Sequence, residues 1–96
     1  KDLMKNLGSL LREKRENMGL LLRHAAAQLD IDQAVLSKIE RNETKATKEQ
    51  LANFSRFYNL DLNDISIIWN SERILDLLSE ENNLEQILNN LLERIK

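Results

Sequence analysis

The chain has no cysteine and no proline, and only two of its 96 residues are glycine. Without cysteine there is no disulfide framework and no thiolate metal site, which fits a reducing compartment. Without proline, and nearly without glycine, the usual turn-forming and helix-breaking residues are missing. A chain rich in Leu, Glu, Asn and Lys under those conditions is all-helical with short connections. No apolar run approaches the roughly 20 residues of a membrane-spanning helix. The first residues do not read as a signal peptide, so a cytoplasmic protein with no membrane partner is expected. The constellations of catalysis are missing too. There is one histidine, no Ser/His/Asp arrangement, no His/Asp/Glu cluster at metal-ligand spacing and no glycine-rich phosphate loop. Neither an enzyme nor a cofactor is expected.

What is there is unevenly charged. The net charge of −2 hides 11 Lys/Arg against 8 Asp/Glu in residues 1–60, and 3 against 8 in residues 61–96. The first part can meet phosphates, and the second cannot.

Apolar spacing divides the chain into helices. The first is expected from about Asp2 to Asn17, with Leu3, Leu7, Leu10, Leu11 and Met18 on one stripe and Gly19 just past its end. A second covers about Leu22 to Leu29, where Ala25, Ala26 and Leu29 pack. It lacks a side-chain cap, because Leu20 to Leu22 are all apolar. A third starts at the cap Asp32 and runs to about Arg41, with its inward positions among Val35, Leu36 and Ile39 and its core at Leu36 and Ile39. Thr47 and Gln50 form a capping box for a fourth, which buries Leu51, Phe54 and Phe57 and ends at Asn59. Asp61 caps a fifth that contains Leu62, Ile65, Ile68 and Trp69. Beyond Trp69 the pattern changes. Ile74, Leu77 and Leu78 form a short stripe. Leu84, Ile87, Leu88, Leu91, Leu92 and Ile95 form a second, with a break at Glu80 to Asn83.

The stretch 19–42, GLLLRHAAAQLDIDQAVLSKIERN, is the most informative. Two short helical patterns meet at the tight polar turn Asp30-Ile31-Asp32. The second exposes a small, polar face, a shape that fits a DNA major groove. Residues 7–68 resemble the phage-repressor and Cro-like (xenobiotic-response-element type) helix-turn-helix family. The resemblance rests on LGSLLREKRENMGL, AAAQLDIDQAVLSKIERNE and TKEQLANFSRFYNLDLNDI, and LSKIERNE is its most specific part. It implies a five-helix lambda-repressor-like DNA-binding domain in residues 1–70, followed in 71–96 by C-terminal amphipathic dimerisation helices.

By position, the resemblance implies base reading by Gln33, Ala34, Val35, Ser37 and Lys38. The chemistry agrees: Gln suits adenine, Lys guanine, Ser either, and Ala a thymine methyl. Arg41, Asn42 and Lys45 match the family's backbone-contacting loop, and Arg23, Arg12 and Lys14 are further phosphate candidates. There are two departures. The position commonly polar at the start of the second helix is Leu22, and the usual glycine after the recognition helix is Asn42, which tolerates the left-handed conformation. Glu40 is expected to bond near Arg41 or Arg12. His24 reads as a solvated surface residue.

The family role implied is a transcriptional regulator that binds a palindromic double-stranded operator as a homodimer, as a repressor or a restriction–modification-type controller. The dimer interface is expected at Trp69, Ile74, Leu77, Leu78, Leu84, Ile87, Leu88, Leu91, Leu92 and Ile95, with Trp69 also readable as a core anchor. An alternative is an antitoxin that binds its own promoter and holds a toxin through the last helix. A third reading is a protein-interaction module without DNA affinity.

Overall fold

Asn6 opens the first helix: its side chain accepts a hydrogen bond from the Ser9 amide at 2.7 Å while its own backbone is extended. This structure, a computed structural model, describes residues 6–96. The first helix, α1, is therefore Leu7–Asn17, with its start set by the cap at Asn6; the part of the expected helix from Asp2 to Lys5 lies outside the described residues. Leu3 lies outside the described residues. Leu7, Leu10 and Leu11 are buried, but Met18 is half exposed, because the helix has already ended there and Gly19 turns the chain with φ 70°.

The remaining helices follow the expected order: α2 Leu22–Leu29, α3 Gln33–Glu40, α4 Lys48–Tyr58, α5 Leu62–Leu77 and α6 Leu84–Ile95. The described residues form no strand. Helix α2 starts without a side-chain cap, as its apolar start implies. Asp32, Thr47 with Gln50, and Asp61 cap α3, α4 and α5. Asp30 and Asn59 close α2 and α4 in the left-handed conformation, and Asn42 also adopts it after α3.

Helices α1 to α5 enclose one core. Helix α1 packs on α3, α4 and α5, α2 on α3 and α4, and α4 on α5. Phe54, Leu11, Leu36 and Ile65 are its most deeply buried large side chains. At the end of α4 the expectation shifts by one residue. Tyr58 is buried and Phe57 only half-buried, with its ring edge-on to Tyr58 at 4.9 Å.

Helices α1 and α3 meet closely at Gly8, where a Cβ would run into the Ile39 carbonyl oxygen and lie 2.7 Å from that of Glu40. Glycine costs helix stability relative to alanine, but here it lets the start of α1 touch the end of α3. The far end of α5 reinforces that corner. The Leu7 amide donates to Glu72 Oε2 at 2.8 Å, and the Trp69 ring nitrogen donates to the Ala46 carbonyl at 2.8 Å.

Helix α5 runs unbroken across position 70, and the chain breaks at residues 78–83, the region the sequence marks. Beyond it, α6 buries no residue at all. The molecule is 44 Å long against 25 and 23 Å in its other directions. Its radius of gyration is 15.0 Å, against about 12–13 Å for a compact chain of this length. Helix α6 accounts for the excess by projecting away from the core.

Candidate nucleic-acid interface

Helix α3 is held by three inward residues at helical spacing, Leu36, Ile39 and Glu40. Its start is set by Asp32, whose carboxylate accepts from the Ala34 amide at 2.7 Å. The Asp30-Ile31-Asp32 turn is pinned by the Ile31 amide bonding the Ala26 carbonyl at 3.0 Å, while the Ile31 side chain packs on the core. With that face inward, Gln33, Ala34, Val35 and Lys38 are exposed and Ser37 is half-buried. Val35 is 37% exposed, so it belongs to the outer surface and not among the inward positions.

Among the described residues Glu40 is the buried charged side chain, and its partner is Arg15 of α1. Arg15 Nε meets Glu40 Oε2 at 2.9 Å and Nη2 meets Oε1 at 3.0 Å, while Nη1 donates to the Leu20 carbonyl at 2.9 Å. The expected bond to Arg41 or Arg12 is therefore corrected. Glu40 points inward to α1, where the planar guanidinium fork matches a carboxylate. The hydrogen bond to Glu40 raises the Arg15 pKa, against the opposing effect of burial. Tyr58 lies near the pair. Burial first, and then the Glu40 charge, push its hydroxyl up to about 12.

The phosphate candidates separate into distinct environments. Arg12 and Arg41 come together with Leu22 and Ser37 along one cleft between α1, α2 and α3. Arg12 is paired along its own helix with Glu16 at 3.1 Å. Arg41 forms a two-pronged pair with Glu43, at 2.7 and 3.1 Å, and also donates to Ser37 Oγ. That bond holds Glu43 below the usual carboxylate range and raises Arg41. Lys45 meets Asp76 of α5 at 2.9 Å. The Asn42 side chain lies beside Gly8 at the meeting of α1 and α3. Arg23 is exposed on the first turn of α2, Lys14 is half-buried on α1, and His24 is exposed.

Sequence reasoning missed Glu43, Asp76 and the Arg15–Glu40 pair. Glu43 had a local signal, since it follows Arg41 by two residues. Asp76 had none, being 31 positions from Lys45. Trp69, readable as core or interface, is buried and hydrogen-bonded within its own chain, and so offers little surface to a partner. Arg73 stacks over its ring at 4.6 Å.

The helix-turn-helix family model matches residues 11–65, more than half of the chain. The chain belongs to the phage-repressor and Cro-like helix-turn-helix family. No curated protein and no solved structure gave a significant match. The match covers the cleft, the turn and α3 of this helix-turn-helix protein, and ends inside α5. Its family is one of DNA-binding transcription regulators. Among the described residues, no group of His, Cys, Asp and Glu side chains could hold a metal ion, and no helix is long and apolar enough to cross a membrane.

Proposed function

We propose that this helix-turn-helix protein regulates transcription by occupying a palindromic operator as a homodimer, with α3 in the major groove. The observation that carries the reading is the outward face of α3. It is short, exposed and chemically varied, and it is held rigidly from behind by Leu36, Ile39 and the Arg15–Glu40 pair. Gln33, Ala34, Val35, Ser37 and Lys38 read base edges. Arg23, Arg41, Asn42 and Lys45 contact the backbone, with Arg12 and Lys14 at its margin. Residues 1–70 supply DNA recognition, and 71–96 supply pairing. Two-fold pairing sets two α3 helices about one DNA turn apart. Occupancy of the operator is the whole mechanism, as in a repressor or a restriction–modification-type controller.

Two measurements test it. Selection from a random duplex pool should return a two-fold symmetric site. Sedimentation equilibrium should give a dimer for the full chain and a monomer for a chain ending at Ser79. That truncation point keeps Glu72 and Asp76 in place, whereas a cut after Asn70 would remove both contacts to the domain. A full-length monomer that gains order only with another protein would instead fit an antitoxin, with α6 as the toxin-binding element. Absence of any salt-dependent DNA affinity would overturn the regulator reading.

A further inference from the structure

The loop between α3 and α4 is held in two different ways. Its first half continues α3: the Arg41, Asn42 and Glu43 amides donate to the Ser37, Ile39 and Lys38 carbonyls at 3.1, 3.1 and 2.8 Å. Its second half, Thr44 to Ala46, makes no backbone–backbone hydrogen bond among the described residues. A segment without such bonds opens easily unless tertiary contacts fix it.

Two polar contacts from α5 take the place of those bonds. The Trp69 indole N–H donates to the Ala46 carbonyl at 2.8 Å in a buried bond, and Asp76 Oδ2 meets Lys45 Nζ at 2.9 Å. Positions 69, 72 and 76 are three and four residues apart and share one face of α5. That face is turned to the corner where α1 begins and α3 ends, since Glu72 accepts from the Leu7 amide. The indole is itself fixed: it is buried, and Arg73 stacks over it at 4.6 Å while donating to Asn70 Oδ1 at 3.0 Å. Asp76 holds only the end of a flexible side chain, whereas Trp69 holds the backbone. All of these α5 residues lie beyond the matched family region, which ends at residue 65.

We infer that Trp69 is a positioning residue for DNA binding: by holding the Ala46 carbonyl it fixes the backbone that carries Lys45 beside the end of α3, so that Lys45 meets a phosphate without first ordering the loop. This rests on the phosphate contact of Lys45 under the proposed function, and adds to it a residue of α5 that touches no DNA itself. A cation carried on an unfixed loop reaches the same phosphate only after an ordering step that opposes binding. With the loop held at Ala46, leaving Asp76 requires rotation of the Lys45 side chain alone.

The test is a double-mutant cycle on the full chain, read by fluorescence anisotropy with a labelled duplex carrying the selected site. Trp69→Phe keeps an aromatic ring in the core and removes the N–H. At a temperature where circular dichroism shows the variant folded, it should weaken binding by about 2- to 10-fold, the range set by ordering one long side chain. In the Lys45→Ala background the same change should weaken binding by less than about 2-fold, because the cation to be positioned is gone. Ile65→Val, a buried change on α5 with no bond to the loop, should lower the melting temperature and leave affinity unchanged, which separates positioning from stability. If Trp69→Phe fails to fold, the benzothienyl analogue of tryptophan at position 69 replaces the N–H by sulfur in a ring of the same shape, and the same losses are expected of it. Wild-type affinity in a folded Trp69 variant would overturn the inference, as would an equal loss with and without Lys45. Unchanged affinity in Lys45→Ala alone would remove the phosphate contact of Lys45, and this inference with it, while leaving base reading by α3 standing. A wild-type chain without affinity for DNA would overturn both readings.

Discussion

Arg15 on α1 and Glu40 at the end of α3 form a two-pronged ion pair whose side chains are only 12% and 4% exposed. Helix α3 is therefore fixed to the scaffold by a charge pair at one end and by the Asp32 cap at the other. Removing one partner of a buried pair strands the other, which typically costs 3–5 kcal/mol. Glu40→Ala is expected to lose about 3 kcal/mol in urea denaturation. Arg15→Lys keeps the charge but loses the fork, so a smaller loss is expected. If Glu40→Ala unfolds at the wild-type midpoint, the pair is only a surface contact.

Gly8 gives a separate test of the same corner. An added methyl would meet two α3 carbonyl oxygens under 3.0 Å. Gly8→Ala should therefore destabilise the chain by about 1–3 kcal/mol, although alanine is the better helix former by about 1 kcal/mol. Thermal melting of Gly8→Ala reads the sign. A raised melting temperature would show that α1 and α3 can separate at no cost.

Gln33→Ala and Lys38→Ala should each weaken binding to the selected operator by about 1–3 kcal/mol while leaving non-specific affinity nearly unchanged. Both side chains are exposed, so the melting temperature should hold. Fluorescence anisotropy with the selected site and a scrambled duplex separates the two effects.

Lys45 is paired with Asp76 and Arg41 with Glu43, so under the proposed function each cation must leave its carboxylate to meet a phosphate. Asp76→Asn should therefore tighten DNA binding. The gain is limited to a few-fold, because exposed ion pairs contribute about 0–1 kcal/mol. Lys45→Ala should reduce the slope of log affinity against log salt by about 1. An unchanged slope would remove Lys45 from the phosphate contacts.

Tyr58 predicts an alkaline signature. Its hydroxyl is buried with no hydrogen-bond partner among the described residues, and its pKa rises from 10.0 to about 12 on folding. The folded state keeps the proton that the unfolded chain gives up. The stabilising contribution is thus complete below about pH 10 and is lost as pH rises toward about 12. Tyr58→Phe should be neutral or slightly stabilising at pH 7, since it removes an unpaired buried hydroxyl. Its advantage over wild type should grow above pH 10, by up to about 3 kcal/mol. Parallel denaturation curves across that range would show that the hydroxyl titrates in solvent.

The legible part of the fold is the part made by short-range rules. Asp32, Thr47 with Gln50, Asn59 and Asp61 each end or begin a helix through bonds within a few residues, and each does so where the spacing predicts. The buried apolar residues of α2 and α3, Ala25, Ala26, Leu29, Leu36 and Ile39, follow from periodicity. The start of α1 at Asn6 was not legible, because Leu3 continues the stripe, whereas Asn6 turns the backbone out of the helix. Glu40 was assigned a neighbour close in sequence, yet its partner is 25 residues away.

The sequence by itself determined an all-helical chain, the turn between α2 and α3, and the set of side chains that α3 can turn outward. Each of these depends on contacts within about one helical turn. Tertiary structure alone decided that Arg15 holds Glu40, that Gly8 admits α3 against α1, that Glu43 pairs with Arg41, and that Asp76 pairs with Lys45. Three of these depend on residues distant in sequence that meet only once the core has closed. Glu43, near Arg41 in the chain, faces it because the loop after α3 turns at Asn42.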